Sequence, residues 1–209
     1  MIYQAPFFLR WLYPNLIWRI ATEKKELYLT FDDGPIPGPT DFVLKTLAEY
    51  KVKATFFCIG DNVRKHPDIF KKIAQQGHAI GNHTFNHVKG WRTPLDQYVE
   101  NVKQCDAEFR SSEFGVRTSN LFRPPYGRIT RSQIKALSDY KIIMWDVLTH
   151  DYDKAKSPEA CLRNSIRVTQ PGSIIVFHDS LKAERNMSYT LPRFMDHFLE
   201  QGYSFKTLT

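Results

Sequence analysis

Residues 26–35, ELYLTFDDGP, are the strongest indication of the fold in the sequence. Residues 26–31 alternate with the two-residue period of a β-strand, and two adjacent carboxylates followed by a Gly-Pro turn end the run. Helix-like segments separate this run from six further strand-like runs, and such alternation predicts a parallel sheet with right-handed crossover connections. The further runs cover residues 54–59, 79–83, 121–123, 141–145, 173–178 and 203–208.

Ionisable side chains collect where these predicted strands end. Because the carboxyl ends of parallel strands meet on one face of the fold, we expect these side chains to converge there. Five separate strands would then deliver polar groups to one rim, which favours a closed or incomplete (β/α) barrel in a single domain over an open sheet. The residues concerned are Asp32, Asp33, His83, Arg123, Asp151 and His178.

Two histidines and two carboxylates in this region have the chemistry of a metal site. His83 and His87 are four residues apart, a spacing that puts both imidazoles on one face of a helical turn. The adjacent Asp32 and Asp33 would repel each other in a cleft unless one of them faces a cation. Two imidazoles and one carboxylate suit Zn²⁺ or another divalent metal with a position left for water. The alternative for the HxxxH pair is two surface histidines.

A hydrolytic site of this kind also needs a proton donor. A base that takes a proton from water and an acid that protonates the leaving nitrogen together complete amide hydrolysis. His178, followed by Asp179 at the end of a strongly apolar strand, is a candidate for the acid. The structural alternative is a strand-end histidine whose hydrogen bonds are simply satisfied.

The amino-acid composition limits the class of protein and the kinds of partner that it can have. With 209 residues, 42% of them hydrophobic and 24% charged, the chain suits one globular domain. The formal net charge is +7, but the basic residues are scattered rather than clustered, so we expect no nucleic-acid partner and a monomer with a mildly basic face. Three cysteines without a CxxC pair predict buried free thiols: Cys58, Cys105 and Cys161.

Residues 1–25 are predicted to form an N-terminal segment that packs on the barrel. The segment is apolar and aromatic, but it lacks the pattern of a signal peptide and is too interrupted to span a bilayer. This predicts a cytoplasmic location by default, with association with the envelope as the alternative. A peripheral membrane contact is a second alternative for the segment, through Phe7, Phe8, Trp11, Leu12 and Trp18.

Five ordered segments resemble the motifs of the polysaccharide deacetylase family, which is also known as the NodB-homology domain or carbohydrate esterase family 4. The resemblance covers residues 26–209, and the first three motifs match residue for residue. It implies a catalytic domain over those residues and a distorted (β/α) barrel of about seven parallel strands. The segments are residues 30–35 (TFDDGP), 83–87 (HTFNH), 123–127 (RPPYG), 145–151 and 174–179.

The resemblance implies a role for each motif residue. Asp32 is the general base, and Arg123 fixes and tunes it. His178 is the general acid, and Asp151 holds it. The backbone N–H of Tyr126 helps to stabilise the oxyanion. One divalent metal, Zn²⁺ or alternatively Co²⁺, Ni²⁺ or Mn²⁺, binds to Asp33, His83 and His87.

The implied activity is metal-dependent removal of N-acetyl groups from an amino-sugar polymer or oligosaccharide, such as peptidoglycan, a chitin-like polymer or another envelope glycan. One alternative is an esterase that removes O-acetyl groups from a polysaccharide, because the same site serves esters. Another is a catalytically silent glycan-binding module on the same scaffold. Such a module would be expected to lack the base, a metal ligand or the acid, and this chain keeps all of them.

One motif departs from the family pattern. The family commonly has Asp-Trp in its fourth motif, whereas this chain has Asp151-Tyr152. The wall of the acetyl pocket is therefore expected to differ, and the family's usual sugar preference does not carry over automatically. His150, beside this motif, is predicted to be exposed. The candidate substrate-binding residues are Tyr126, Trp145, Tyr152 and Val176.

Overall fold

A parallel sheet forms the centre of the fold in the computed structural model, which describes residues 3–111 and 119–209. In these ranges the sheet has eight strands: β1 (Glu26–Asp32), β2 (Thr55–Cys58), β3 (Ala79–Asn82), β4 (Leu121–Phe122), β5 (Lys141–Ile142), β6 (Val147–Leu148), β7 (Ile174–His178) and β8 (Ser204–Phe205). Their order in the sheet is β5-β4-β3-β2-β1-β7-β6, and β8 pairs with the start of β1.

The strand predicted from residues 26–31 is the central one. β1 pairs in parallel with β2 on one side and with β7 on the other, and Leu27, Leu29 and Phe31 are completely buried. The side chains that alternate with these three are buried as well, so both faces of the strand are covered. The polar residues that follow β1 therefore lie at its carboxyl end, beside the carboxyl ends of β2 and β7.

Helices flank the strands and cover the sheet. In the described ranges they are α1 (Phe7–Leu12), α2 (Pro39–Glu49), α3 (Gly60–Lys65), α4 (Pro67–Gln75), α5 (Leu95–Ser111), α6 (Arg131–Ala136), α7 (Pro158–Val168) and α8 (Glu184–Glu200). None of these helices is long and apolar enough to cross a bilayer.

The prediction of a single-domain, distorted (β/α) barrel of about seven parallel strands is confirmed. Strands β1 to β7 form a curled half-barrel, with β5 and β6 as its two edges. The predicted run 141–145 contains β5, but the sequence pattern missed β6, whose two residues are too few to show a strand period. The predicted buried free cysteines are also confirmed, at Cys58, Cys105 and Cys161.

The N-terminal segment lies across the open side of the half-barrel. Isolated bridges join Ile17 to Ile143, Gln4 to Val147 and Arg19 to Ser173, so the segment reaches both edges of the sheet.

Trp18 is buried, so the prediction that its side chain contacts a membrane is wrong. The other four aromatic and aliphatic side chains are exposed, and contact with a membrane surface stays a prediction for Phe7, Phe8, Trp11 and Leu12.

A buried carboxylate fastens this segment. The side chain of Asp146 is fully buried, forms an ion pair with Arg10, and accepts a hydrogen bond from the Ser173 hydroxyl at 2.6 Å. Among the residues that the structure describes, Arg10 is the ion-pair partner of Asp146. Loss of the guanidinium would leave a buried charge without its counterion, which is costly in a protein interior.

We predict that Arg10→Gln lowers the free energy of unfolding by about 1–3 kcal/mol, because Asp146 stays buried without its ion pair. Urea denaturation followed by circular dichroism measures the change. Arg19→Gln is the matched control, since Arg19 is exposed and belongs to the same segment; its effect should stay within about 0.5 kcal/mol. Equal effects of the two substitutions would contradict the anchoring role of Arg10.

Candidate active site

A cavity of about 620 Å³ opens at the carboxyl ends of the strands. Most of the predicted site residues line it: Asp32, Asp33, His83, His87, Tyr126, Trp145, Tyr152, Val176 and His178. The two remaining ones, Arg123 and Asp151, are buried behind the wall and contact Asp32 and His178 directly. The structure therefore brings together every residue that the sequence had predicted for the site.

Asp33, His83 and His87 form a group that could hold a metal ion, with one ligand atom of each within 4.8 Å of the others. The Oδ1 atom of Asp33 lies 3.4 Å from Nε2 of His87 and 3.9 Å from Nε2 of His83. The Nδ1 atom of His83 lies 2.7 Å from the carbonyl oxygen of Arg123. Since a carbonyl only accepts, this contact places the proton on Nδ1 and leaves Nε2 free as a ligand.

The electrostatics of the two histidines suit a cation. Burial lowers the pKa of His83. Burial, and next the neighbouring His83, lower the pKa of His87 to about 4. Both rings are therefore neutral at neutral pH, the form in which imidazole coordinates a metal. With the Asp33 carboxylate, the donor set fits one divalent cation.

The segment 83–87 differs from its predicted conformation. It is a bend rather than a helical turn, with φ of 63° at Thr84 and 55° at His87. The prediction that helical periodicity aligns the two imidazoles is therefore wrong. Hydrogen bonds pin the bend instead, since Asn82 Oδ1 accepts from the Thr84 amide at 2.8 Å and Asn101 Oδ1 accepts from the Phe85 amide at 2.9 Å.

Left-handed backbone recurs around the cavity. Asp33 has φ of 85°, Tyr126 has 61° and His150 has 57°. Non-glycine residues in this region cost free energy and persist where the surrounding structure enforces them, often at functional sites. Asn62 helps to enforce the conformation at Asp33, because its side-chain amide donates to the Asp33 carbonyl at 2.7 Å.

Asp32 is held by a fully buried arginine. The Nη1 atom of Arg123 donates to Asp32 Oδ1 and to Thr30 Oγ1, both at 2.7 Å. Its Nη2 atom donates to the Met144 carbonyl at 2.9 Å. The guanidinium also stacks 4.1 Å from the centroid of the Phe57 ring. The orientation of Arg123 is thus fixed from several elements, and with it the orientation of the carboxylate.

Burial alone would raise the pKa of Asp32. Arg123 is the strongest of the groups that reverse this, followed by His83 and His178, and together they hold the pKa below its ordinary value. Asp32 is therefore an ionised carboxylate that can accept a proton.

His178 is tuned in the opposite direction. Its Nδ1 atom lies 2.7 Å from Asp151 Oδ1, and its backbone amide donates to Asp151 Oδ2 at 2.7 Å. Burial would lower the pKa of the imidazole, but the charge and hydrogen bond of Asp151 dominate and raise it to about 9. His178 is then protonated at neutral pH and can donate a proton into the cavity.

Aromatic and aliphatic side chains form the walls. The Trp145 ring packs on Gly127, where an added Cβ would lie 2.5 Å from Cη2 of the indole. Tyr126 is 52% exposed, and its ring centroid lies 4.6 Å from that of His87. Tyr152 packs edge-on against His178 at 4.9 Å. Together with Val176 these groups leave an apolar wall beside the polar centre.

The prediction that His150 is exposed is wrong. It is only 5% exposed, and its Nδ1 atom lies 3.3 Å from the Tyr152 hydroxyl. Its ring also meets Tyr3 of the N-terminal segment edge-on at 4.7 Å. His150 therefore supports the Tyr152 side chain. No local pattern predicts its contact with Tyr3, which lies 147 residues away in sequence.

Asp179 has a structural role that no local sequence pattern predicts. Its Oδ1 accepts from the Gly34 amide at 3.0 Å, and its Oδ2 accepts from the Thr40 hydroxyl at 2.6 Å. Burial raises the pKa of this carboxyl to about 8. Asp179 thus fixes the loop that carries Asp32 and Asp33. The adjacent pair His178-Asp179 was a visible signal, but its partners lie 139 and 145 positions away in sequence.

Comparisons with known proteins found matches over most of this chain. The model of the family described as polysaccharide deacetylase matches residues 19–145. A peptidoglycan-N-acetylglucosamine deacetylase of Bacillus cereus is 32% identical over 195 residues, which cover 92% of this chain and 90% of that protein. A second protein of the same description and organism is 37% identical over 159 residues, and the match covers 75% of this chain but only 57% of that longer protein.

The fold is also similar to a solved structure. The crystal structure of a peptidoglycan N-acetylglucosamine deacetylase superimposes with a TM-score of 0.88 at 31% sequence identity. The match covers 98% of this chain and 95% of that one. The similarity therefore includes the carboxyl-terminal segments with Asp151 and His178, which lie beyond the residues matched by the family model.

In the metal-free protein we predict that His178 titrates near pH 9, and that Asp151→Asn lowers its pKa. NMR titration of the imidazole measures both values, and Asp153→Asn is the control. Because the folded pKa lies above the ordinary value of 6.5, the protonated ring stabilises the fold below about pH 6.5, and this contribution is lost as the pH rises through about 9. An unchanged His178 pKa in Asp151→Asn would contradict the assignment.

Proposed function

The chain belongs to the polysaccharide deacetylase family, and from this premise we propose that it is a metal-dependent hydrolase that removes N-acetyl groups from an amino-sugar polymer or oligosaccharide. One observation carries the proposal. An ionised carboxylate, a protonated histidine and a cation site face one cavity, where buried Arg123 holds the carboxylate and buried Asp151 holds the histidine. We assign residues 26–209 to the catalytic domain and residues 1–25 to a segment that packs on it, in a monomer.

Asp33, His83 and His87 would hold one divalent cation, with Zn²⁺ as the first candidate and Co²⁺, Ni²⁺ or Mn²⁺ as alternatives. Such a cation lowers the pKa of water and polarises a carbonyl oxygen. The carbonyl of Arg123 orients His83 for this role. The neighbouring carboxylate, Asp32, is engaged by Arg123 and is therefore left for proton transfer.

The protein's own groups then divide the proton transfers. Asp32 takes a proton from the attacking water, and Arg123 keeps this carboxylate ionised and oriented. His178 gives its proton to the leaving amine, and Asp151 keeps the imidazole charged until then. The backbone N–H of Tyr126 would stabilise the negative charge on the carbonyl oxygen.

The apolar wall suits a small acyl group. Trp145, Tyr152 and Val176 line the cavity together with Leu148, and the acetyl methyl group would lie against them. A methyl group gains from leaving water in such a place, whereas a charged acyl group would lose its hydration.

The relatives support an N-acetylated glycan as the substrate, since both Bacillus cereus proteins are described as deacetylases of peptidoglycan N-acetylglucosamine. The alternative of O-acetyl ester hydrolysis uses the same groups. Acetate release from N-acetylglucosamine oligomers and peptidoglycan, compared with release from an O-acetylated xylan, separates the two. No acetate release from any of these with any divalent ion, despite binding of glycan and metal, would favour a silent glycan-binding module.

We predict that Asp32→Asn lowers the rate of acetate release by at least about 100-fold and leaves the bound metal in place, because the amide cannot accept the proton from water. Acetate release and metal content measured on the same sample test this. Asp68→Asn, a substitution on an exposed carboxylate of α4, is the control. Full activity of Asp32→Asn would show that the base is another group.

We predict that His83→Ala and His87→Ala weaken metal binding by more than about 100-fold and abolish acetate release, since each removes one of three ligands. Equilibrium dialysis against Zn²⁺ measures the affinity. The control is His197→Gln on α8, whose ring instead contacts Gln201 at 2.7 Å. Wild-type affinity in either alanine variant would rule out this metal site.

A further inference from the structure

Three cationic side chains lie at the mouth of the cavity: Arg128 and Lys182 line it, and Lys89 lies over the lining residue Tyr126. We propose that they bind carboxylates of the substrate, so that the enzyme prefers a glycan whose repeat carries carboxylates over a neutral amino-sugar polymer. This inference rests on the proposed function and names the substrate class of that same site.

Each cation lies over an aromatic ring at the mouth. The Nζ atom of Lys89 is 4.7 Å from the centroid of Tyr126, and Nζ of Lys182 is 5.3 Å from that of Tyr152. Tyr126 packs on the metal-site residue His87, whereas Tyr152 packs on His178. The two lysines therefore stand on the metal side and the acid side of the same opening.

Arg128 adds a third cation to this arrangement. It lines the cavity, and its Cζ atom lies 5.1 Å from the ring of Trp91, which is 64% exposed. The indole is held in place by a hydrogen bond from Nε1 to the Ile129 carbonyl at 3.2 Å. An exposed, fixed indole beside a guanidinium offers an apolar face to a sugar ring and charged donors to its substituents.

The charges of these three residues are not matched by protein carboxylates. None of them takes part in a salt bridge among residues 3–111 and 119–209. The acids in the cavity lining are Asp32, engaged by Arg123, and Asp33, which belongs to the cation site. The mouth therefore presents three positive charges above a centre whose acids are already engaged.

A neutral glycan could use the aromatic surfaces but would leave these charges in water. A carboxylate on a lactyl ether or a peptide stem of the sugar would instead accept charge-assisted hydrogen bonds, which are about twice as strong as neutral ones. A cleft lined by one sign of charge also raises the local concentration of oppositely charged substrate. The arrangement thus fits a peptidoglycan-like glycan better than a chitin-like one.

The experiment compares two substrates that differ only in charge: a soluble, N-acetylated peptidoglycan fragment, and the same fragment after its carboxylates have been converted to amides. We expect kcat/KM for acetate release to be about tenfold higher for the charged fragment. We also expect the advantage to shrink as salt rises from about 0.05 to 0.5 M, because the Debye length falls.

The triple variant Lys89→Gln, Arg128→Gln, Lys182→Gln should bring the ratio of the two kcat/KM values close to one, mainly through KM. The matched control is Lys24→Gln, Lys103→Gln, Lys206→Gln, which removes three exposed positive charges elsewhere and should keep the wild-type ratio. A wild-type ratio near one, or equal ratios in the two triple variants, would overturn the inference.

Calorimetric binding of the same two fragments keeps the inference separate from the proposed function. Tighter binding of the charged fragment that is lost in the first triple variant supports the cationic mouth even if no acetate is released, a result that would refute the deacetylase proposal alone. Equal affinities for the two fragments would refute the inference even in an active deacetylase.

Discussion

The buried contact between Arg123 and Asp32 is the interaction on which the rest of the site depends. A carboxylate this deeply buried would otherwise bind a proton, and a guanidinium this deeply buried would otherwise lose its hydration without compensation. Their pairing keeps both charged. The same arginine also offers its backbone carbonyl to His83, so one residue fixes both the Asp32 carboxylate and the tautomer of His83. Its other donors reach Thr30 and the carbonyls of residues 143 and 144, which links the ends of β1, β4 and β5 to the site.

The second constraint is that different partners shift the pKa values of Asp32 and His178, the proposed base and acid, in opposite directions. Burial would raise the pKa of Asp32, but Arg123 lowers it. Burial would lower the pKa of His178, but Asp151 raises it. Two titratable groups with opposite shifts in one cavity are the arrangement that general acid–base catalysis requires at neutral pH. Each partner is buried, so water does not screen its effect.

How far sequence predicts this molecule depends on the range of each interaction. The run at residues 26–35 was sufficient to predict the central strand and its polar end, because burial on both faces leaves a strong local pattern. The segment 83–87 defeated the helical-spacing argument because Asn82 and Asn101 impose a bend on it. The sequence wrongly predicted an exposed His150 and gave Asp179 no role, since Tyr3 and Gly34, which these side chains contact, lie far away in sequence. The family motifs imply the residue roles that local patterns left open. The three cations at the mouth of the cavity, Lys89, Arg128 and Lys182, lie outside all five motifs.

The most direct test of this account is a ¹³C NMR titration of the Asp32 carboxyl carbon in the wild type and in Arg123→Lys. Lysine keeps one positive charge but cannot reproduce the four donated hydrogen bonds that hold the guanidinium. We predict that the pKa of Asp32 in the wild type lies below its ordinary value of 3.8, and that this pKa rises in the variant because burial is no longer offset. A wild-type Asp32 that titrates above 3.8, or a pKa that the substitution leaves unchanged, would contradict it.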